Sequence, residues 1–122
     1  MGLTFVRIRV SKDASAPSES LEVLVDTGAT YTMIPGPVLE RLGLVPTRAK
    51  RVRLGDGRVI GRRLGLGYVR YETYESPTWI LFGDPDDTPV LGALTLEELS
   101  LQVDMESQRL RETDTVLMVS AG

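Results

Sequence analysis

The chain has 122 residues, 42% hydrophobic and 25% charged, with a net charge of −3. These are the values of a globular chain with room for one ordinary core, neither disordered nor membrane-embedded. The absence of cysteine and histidine excludes thiol nucleophiles, histidine-based triads, Cys/His zinc sites and thiol redox motifs.

Any catalysis therefore falls to Asp, Glu, Ser, Thr, Lys, Tyr or Arg, and no metal or cofactor is expected. Met1-Gly2-Leu3-Thr4-Phe5-Val6 has no basic region followed by an apolar core, so it does not read as a secretory signal. Val6 also fails the myristoylation pattern. No apolar run approaches the roughly 20 residues that span a bilayer. The expectation is a cytoplasmic protein with no membrane partner, organised as one domain over residues 1–122.

Val6, Ile8 and Val10 alternate with Arg7 and Arg9, and Leu21, Val23 and Val25 follow with the same period of two, the pattern of two strands. The polar stretch 11–20, which contains Pro17, reads as a long hairpin loop. After Asp26-Thr27-Gly28, residues 31–34 are β-prone. Pro35-Gly36-Pro37 then interrupts the chain before Val38, Leu39 and Leu42, which share one helical face, with Gly43 placed to end that helix.

Residues 51–54 and 58–64 flank Gly55-Asp56-Gly57. Asp-Gly favours a tight hairpin whose two central residues both take positive φ, so a projecting hairpin is expected. Residues 67–74 and 78–82 read as strands joined by a turn at Glu75-Ser76-Pro77. An acidic loop over 83–89 precedes the short apolar run Val90-Leu91-Gly92. Thr95-Leu96-Glu97-Glu98 matches a helix capping box. Residues 101–103, 108–110 and 116–119 supply final strands. The sum is mainly β with two short helices.

Charge is unevenly laid out. Arg48, Lys50, Arg51, Arg53, Arg58, Arg62 and Arg63 cluster in mid-chain, while acidic residues dominate from Asp84 onward. Such runs are ordinarily solvated strand faces; the alternative is a surface for acidic peptides or nucleic acid. The acidic net charge and the lack of a recognised nucleic-acid motif weigh against nucleic acid. Trp79, Tyr68, Tyr71 and Tyr74 read as core or cross-strand pairs, and Glu72 and Glu75 as surface charges.

One segment carries the ingredients of acid/base chemistry. A strand ending in Asp26-Thr27-Gly28 offers a carboxylate, a neighbouring hydroxyl and a residue without Cβ where backbone approaches closely. Asp and Gly are also ordinary turn residues. The context argues for more, because the tripeptide follows Leu24-Val25, precedes Ala29 and a β-prone run, and is matched later by Val90-Leu91-Gly92 before a helix signal.

On these residues the chain resembles the retroviral-type aspartic proteases, or retropepsins, and is most similar to their small bacterial members. Four elements agree in order: Leu24-Val25-Asp26-Thr27-Gly28-Ala29, the Gly-rich hairpin Leu54-Gly55-Asp56-Gly57, the run Val90-Leu91-Gly92 and the helix after it. The resemblance covers residues 3–111. It departs at Ala93, where the retroviral enzymes commonly carry Arg, and at the hairpin tip, which lacks their Gly-Ile-Gly-Gly.

The resemblance implies a retropepsin-like acid-protease fold: a single lobe with a closed β-barrel-like core, a flap hairpin and one or two short helices. It implies an aspartic endopeptidase acting on a polypeptide substrate, with Asp26, Thr27 and Gly28 catalytic. Ala29, Leu54, Gly55, Asp56, Gly57, Val90 and Leu91 would meet the substrate. Because peptide hydrolysis by carboxylates needs an acid and a base and the chain has one Asp-Thr-Gly, a homodimer pairing two copies of Asp26 follows. By the same likeness residues 4–10 and 115–119 are candidates for its interface. A catalytically weak or inactive dimeric peptide-binding module on the same fold is the alternative.

Overall fold

In β1 (Phe5–Ser11) the apolar residues Val6, Ile8 and Val10 are buried, while Phe5, Arg7 and Arg9 face outward. Its antiparallel partner is β2 (Ser18–Asp26), in register from Ser11 opposite Ser18 to Phe5 opposite Leu24. The intervening loop is shorter than the expected 11–20. Ser18 and Ser20 belong to the strand, and Arg9 Nε and an Arg7 guanidinium nitrogen donate to their hydroxyls at 3.1 and 3.3 Å. The loop is instead closed by Asp13, whose Oδ1 accepts from the Ser15 and Ala16 amides at 3.0 and 2.8 Å, as short polar side chains do in turns.

This is a computed structural model, and it describes residues 2–113; the expected strand 116–119 lies outside them. The remaining elements are β3 (Thr32–Pro35), α1 (Gly36–Arg41), β4 (Arg48–Arg53), β5 (Val59–Tyr71), β6 (Tyr74–Gly83), β7 (Val90–Gly92), α2 (Ala93–Leu99), β8 (Leu101–Asp104) and β9 (Arg109–Glu112). No helix among the described residues is long and apolar enough to cross a membrane.

The sheet runs β1-β2-β7-β3-β6-β5-β4, and a further β1–β5 pairing joins the first strand of that order to the sixth. Six strands thus close into a barrel, which removes their open edges, and β4 hangs outside on β5. Two pairings are parallel, β2 with β7 and β3 with β6. The core inside includes Ile8, Val10, Val23, Ile34, Val69, Ile80 and Leu91, each no more than 1% exposed. The expected closed mainly-β core with a projecting hairpin and two short helices is present.

Three local expectations are corrected. Glu75-Ser76-Pro77 is not a turn: β5 continues to Tyr71, the chain reverses through Glu72 (φ 53°) and Thr73, and Pro77 sits within β6 opposite Tyr68. Proline is tolerated there because that stretch of β6 pairs with β5 alone, and β3 joins only from Ile80. Cross-strand bonds from Arg70 and Tyr68 to Glu75 hold the two strands together at that point.

Second, α2 begins two residues before Thr95, with Gly92 as its N-cap and no side-chain cap, so the capping box is absent. Third, the hairpin tip is a three-residue loop. Gly57 N–H donates to Leu54 C=O at 2.9 Å, and of the tip residues only Gly57 (φ 90°) takes positive φ. A turn followed by one left-handed residue needs glycine at that one position.

In α1 the proline at its first turn starts the helix rather than only breaking the strand. Leu39 is fully buried, and Val38 and Leu42 pack against the core.

The backbone entering β3 lies so close to the end of β7 that no space is left at Gly92. A Cβ there would stand 2.5 Å from both the carbonyl carbon and oxygen of Tyr31, backbone atoms that cannot swing aside. Gly92→Ala should therefore destabilise the protein by roughly 1–3 kcal/mol or more, read as a lower urea midpoint; an unchanged midpoint would contradict this packing.

Candidate active site

The polypeptide leaves the barrel at the end of β2, and there the Asp26 carboxylate is exposed. Gly28 N–H donates to Asp26 Oδ1 at 2.9 Å, the one protein donor to that carboxylate among the described residues. Ala29 N–H donates to the Asp26 carbonyl at 3.1 Å. The turn thus aims one carboxylate oxygen and leaves the other to solvent. Thr27 and Gly28 are exposed beside it, and Ala29 is half-buried.

This loop is gripped from below. Strand β7 places Gly92 in register with Asp26, and the first two amides of α2, from Ala93 and Leu94, donate to the carbonyls of Ala29 and Thr30 at 2.7 and 3.0 Å. The first N–H groups of a helix have no partner inside it. Here two of them are satisfied by the Asp26 loop, which explains why α2 needs no side-chain cap.

Three threonines that sequence reading did not single out for the site form a buried chain under it. Gly92 N–H donates to Thr32 Oγ1 at 3.1 Å, Thr32 and Thr95 hydroxyls lie 2.6 Å apart, Thr95 and Thr78 hydroxyls 2.7 Å apart, and Thr78 donates to Glu98 Oε1 at 2.6 Å. Each hydroxyl has one proton. Since Thr78 gives its proton to Glu98, Thr95 must donate to Thr78, and Thr32 to Thr95. The row of hydroxyls thus has one direction and ties β3, β6 and α2 to the Gly92 amide. Thr32 and Thr95 lie 63 positions apart, so no local pattern announces them; the one local signal, Thr95 to Glu98, resembles a cap because the same residue types serve both uses.

The other expected site residues divide into two groups. Val90 is half-buried opposite Leu24 and Met33, and Leu91 belongs to the core. At the hairpin tip Gly55, Asp56 and Gly57 project into solvent. Asp56 braces the tip itself, its two oxygens accepting from Arg58 N–H at 3.0 Å and Arg58 Nε at 2.8 Å. These bonds hold the Asp56 carboxyl below its ordinary value of 3.8. The bracing is therefore fully present above that value and lost as pH falls through the lowered one.

Leu54 walls a cleft of about 360 Å³ together with Met33, Val52, Arg58, Ile60, Arg62, Asp84 and Asp87. The expected residues Ala29, Gly55, Asp56, Gly57, Val90 and Leu91 do not line it, nor does Asp26. Sequence reading missed its apolar floor because Met33, Val52 and Ile60 come from three different strands. Arg62 bonds Asp84 at 3.0 Å across one side.

The family model described as Aspartyl protease matches residues 13–95. Among solved structures, the EIAV protease complexed with the inhibitor HBY-793 superposes with a TM-score of 0.62 over 80% of this chain and 88% of that one, at 17% identity. No curated protein matches the sequence. At that identity the superposition speaks for the fold, which is retropepsin-like.

The buried hydroxyl chain gives a direct test of how the loop is supported. Thr95→Val keeps the shape but leaves the Thr32 proton and the Thr78 oxygen unmatched in a site 0% exposed at Thr95, costing roughly 1–3 kcal/mol. Thr95→Ser, which retains the hydroxyl, should cost less; equal urea midpoints for the two variants would contradict the network.

Proposed function

The chain belongs to the aspartyl protease family, and we propose that it is an aspartic endopeptidase whose active site forms when two copies pair their Asp26 carboxylates across a two-fold axis. The observation that carries this reading is an exposed carboxylate at a strand end, oriented by Gly28 N–H at 2.9 Å and fixed by a loop that α2 grips through backbone amides. The sequence supplies this Asp-Thr-Gly once.

Hydrolysis of a peptide bond needs a base to take a proton from water and an acid to protonate the carbonyl oxygen or the leaving amine. One carboxylate cannot do both at once. Two carboxylates brought close share a proton, since both do not ionise easily side by side. The ionised one then activates the water while the protonated one serves as acid. Thr27 braces the two loops against each other, the Gly28 amide keeps its carboxylate aimed, and Ala29 is small enough to lie beneath the substrate backbone.

The hairpin tip Leu54-Gly55-Asp56-Gly57 closes over an extended polypeptide, donating backbone hydrogen bonds and excluding water. Leu54 presents an apolar side chain to the cleft beneath, while Val90, outside that cleft, walls the substrate path nearer Asp26 with Leu91 behind it in the core. For the dimer contact, Leu3 and Phe5 at the start of the chain leave apolar surface exposed, at 71% and 44%, which favours residues 4–10 as part of the interface.

Asp26→Asn should abolish cleavage of a casein digest or peptide library with the circular dichroism spectrum unchanged, because it removes the acid/base group at constant size. Full activity in a folded Asp26→Asn variant would end the protease reading. Specific activity of the unmodified protein should also fall on dilution as mass action separates the chains; a species that light scattering identifies as a monomer and that remains fully active would contradict the shared site.

A further inference from the structure

Between positions 48 and 63 the chain carries Arg48, Lys50, Arg51, Arg53, Arg58, Arg62 and Arg63 against a single acidic residue, Asp56, although its net charge is −3. Three of these cations have carboxylate partners: Arg58 with Asp56, Arg62 with Asp84 and Arg63 with Glu40. The four on β4 have none among the described residues, and all four are exposed. Arg48 lies over the Trp79 ring, 5.1 Å from its centroid, and Arg53 donates to the Gly57 carbonyl at 3.1 Å.

The same strand has an open backbone edge. β4 lies outside the closed barrel and pairs with β5 alone. The bond from Leu54 N–H to the Arg58 carbonyl, 2.8 Å, sets the parity of this antiparallel ladder, in which alternate residues turn both backbone groups to the same side. The N–H and C=O groups of Val52 and Lys50 therefore face β5, and those of Ala49, Arg51 and Arg53 face away from it. No backbone partner meets them among the described residues.

A row of Lys and Arg on such an edge repels a second copy of itself. What it leaves compatible is a strand of opposite charge. We propose that the β4 edge is a docking site for an extended acidic segment of another polypeptide, which adds as a strand beside residues 49–53. Side chains of an added strand alternate between faces, so they would meet Arg48 and Lys50 on one face and Arg51 and Arg53 on the other. Acidic residues at successive positions would thus all find cations, and the two-stranded part of the hairpin would widen to three. The site does not depend on the chemistry of Asp26.

The test uses the full chain carrying Asp26→Asn, so that no probe is cleaved, and fluorescence anisotropy with a labelled peptide of about ten residues that repeats Glu-Glu-Val, which sets Glu on both faces of the added strand. A Gln/Val peptide of the same length and a single-stranded oligonucleotide of about the same charge serve as comparisons. The acidic peptide should bind at least about tenfold more tightly than the neutral one, and Arg51→Gln with Arg53→Gln should weaken it about tenfold through lost cross-strand charge pairs. Ala49→Pro keeps every charge, removes an outward N–H at an edge that tolerates proline, and should weaken binding by a similar factor. Circular dichroism checks each variant; if Ala49→Pro fails to fold, the double Gln variant and the neutral peptide decide. The proposal is overturned if the acidic peptide does not bind, if the double Gln variant binds it unchanged, or if a folded Ala49→Pro variant binds it unchanged. It is also overturned if the oligonucleotide binds as tightly as the peptide.

Discussion

The loop that carries Asp26 is held by helix amides that would otherwise be unsatisfied. Ala93 and Leu94 donate to the carbonyls of Ala29 and Thr30, and these bonds exist only because β7 runs parallel to β2 and delivers α2 to that point. The Tyr31 backbone at the entry to β3 lies close enough that Gly92 must lack a side chain. Its amide is held in turn by Thr32, the first of the buried hydroxyls that end at Glu98. Sheet pairing, helix start and buried polar chain converge on one short loop. An exposed carboxylate on an ordinary surface turn would wander among rotamers; here the backbone beneath it is over-determined, which is what precise acid/base geometry requires.

The hairpin, whose Leu54 and Arg58 wall the cleft, is built by different rules. Its strands project beyond the barrel, its tip is exposed, and its local order comes from Asp56 accepting two bonds from Arg58. Few buried contacts hold such an element to the rest, and the role of flap proposed for it would draw on that freedom. Its charge is also unlike that of the barrel. The cations of β4 lie on an edge that the closed barrel does not absorb, so the fold leaves both backbone groups and charge free in the same place.

Local patterns are legible where one strand or helix face decides burial. The alternation of Val6, Ile8 and Val10, the apolar face of α1 and the strand ending in Asp26 all follow from side-chain period alone. Partner choice is not legible. Nothing in the sequence announces that β1 also pairs with β5, yet that pairing closes the barrel. Pro77 reads as a turn because proline punctuates most strands, and its tolerance within β6 depends on which neighbour is missing. Thr95 reads as a cap because a threonine before two glutamates serves equally as a buried hydroxyl when α2 starts earlier than its local signal. The roles of the candidate site residues come through the family resemblance, whereas Met33 and Ile60 in the cleft, and Thr32 and Thr78 beneath the loop, need the topology to bring them together.

The central claim is that two chains share one active site, and mixing wild-type chains with Asp26→Asn chains tests it most directly. After the mixture is allowed to exchange subunits at constant total protein, a site needing two intact carboxylates is formed only by wild-type pairs, so activity follows the square of the wild-type fraction, about a quarter at equal proportions. A linear dependence, about half at equal proportions, would mean that each chain acts with its own carboxylate, and would contradict the account.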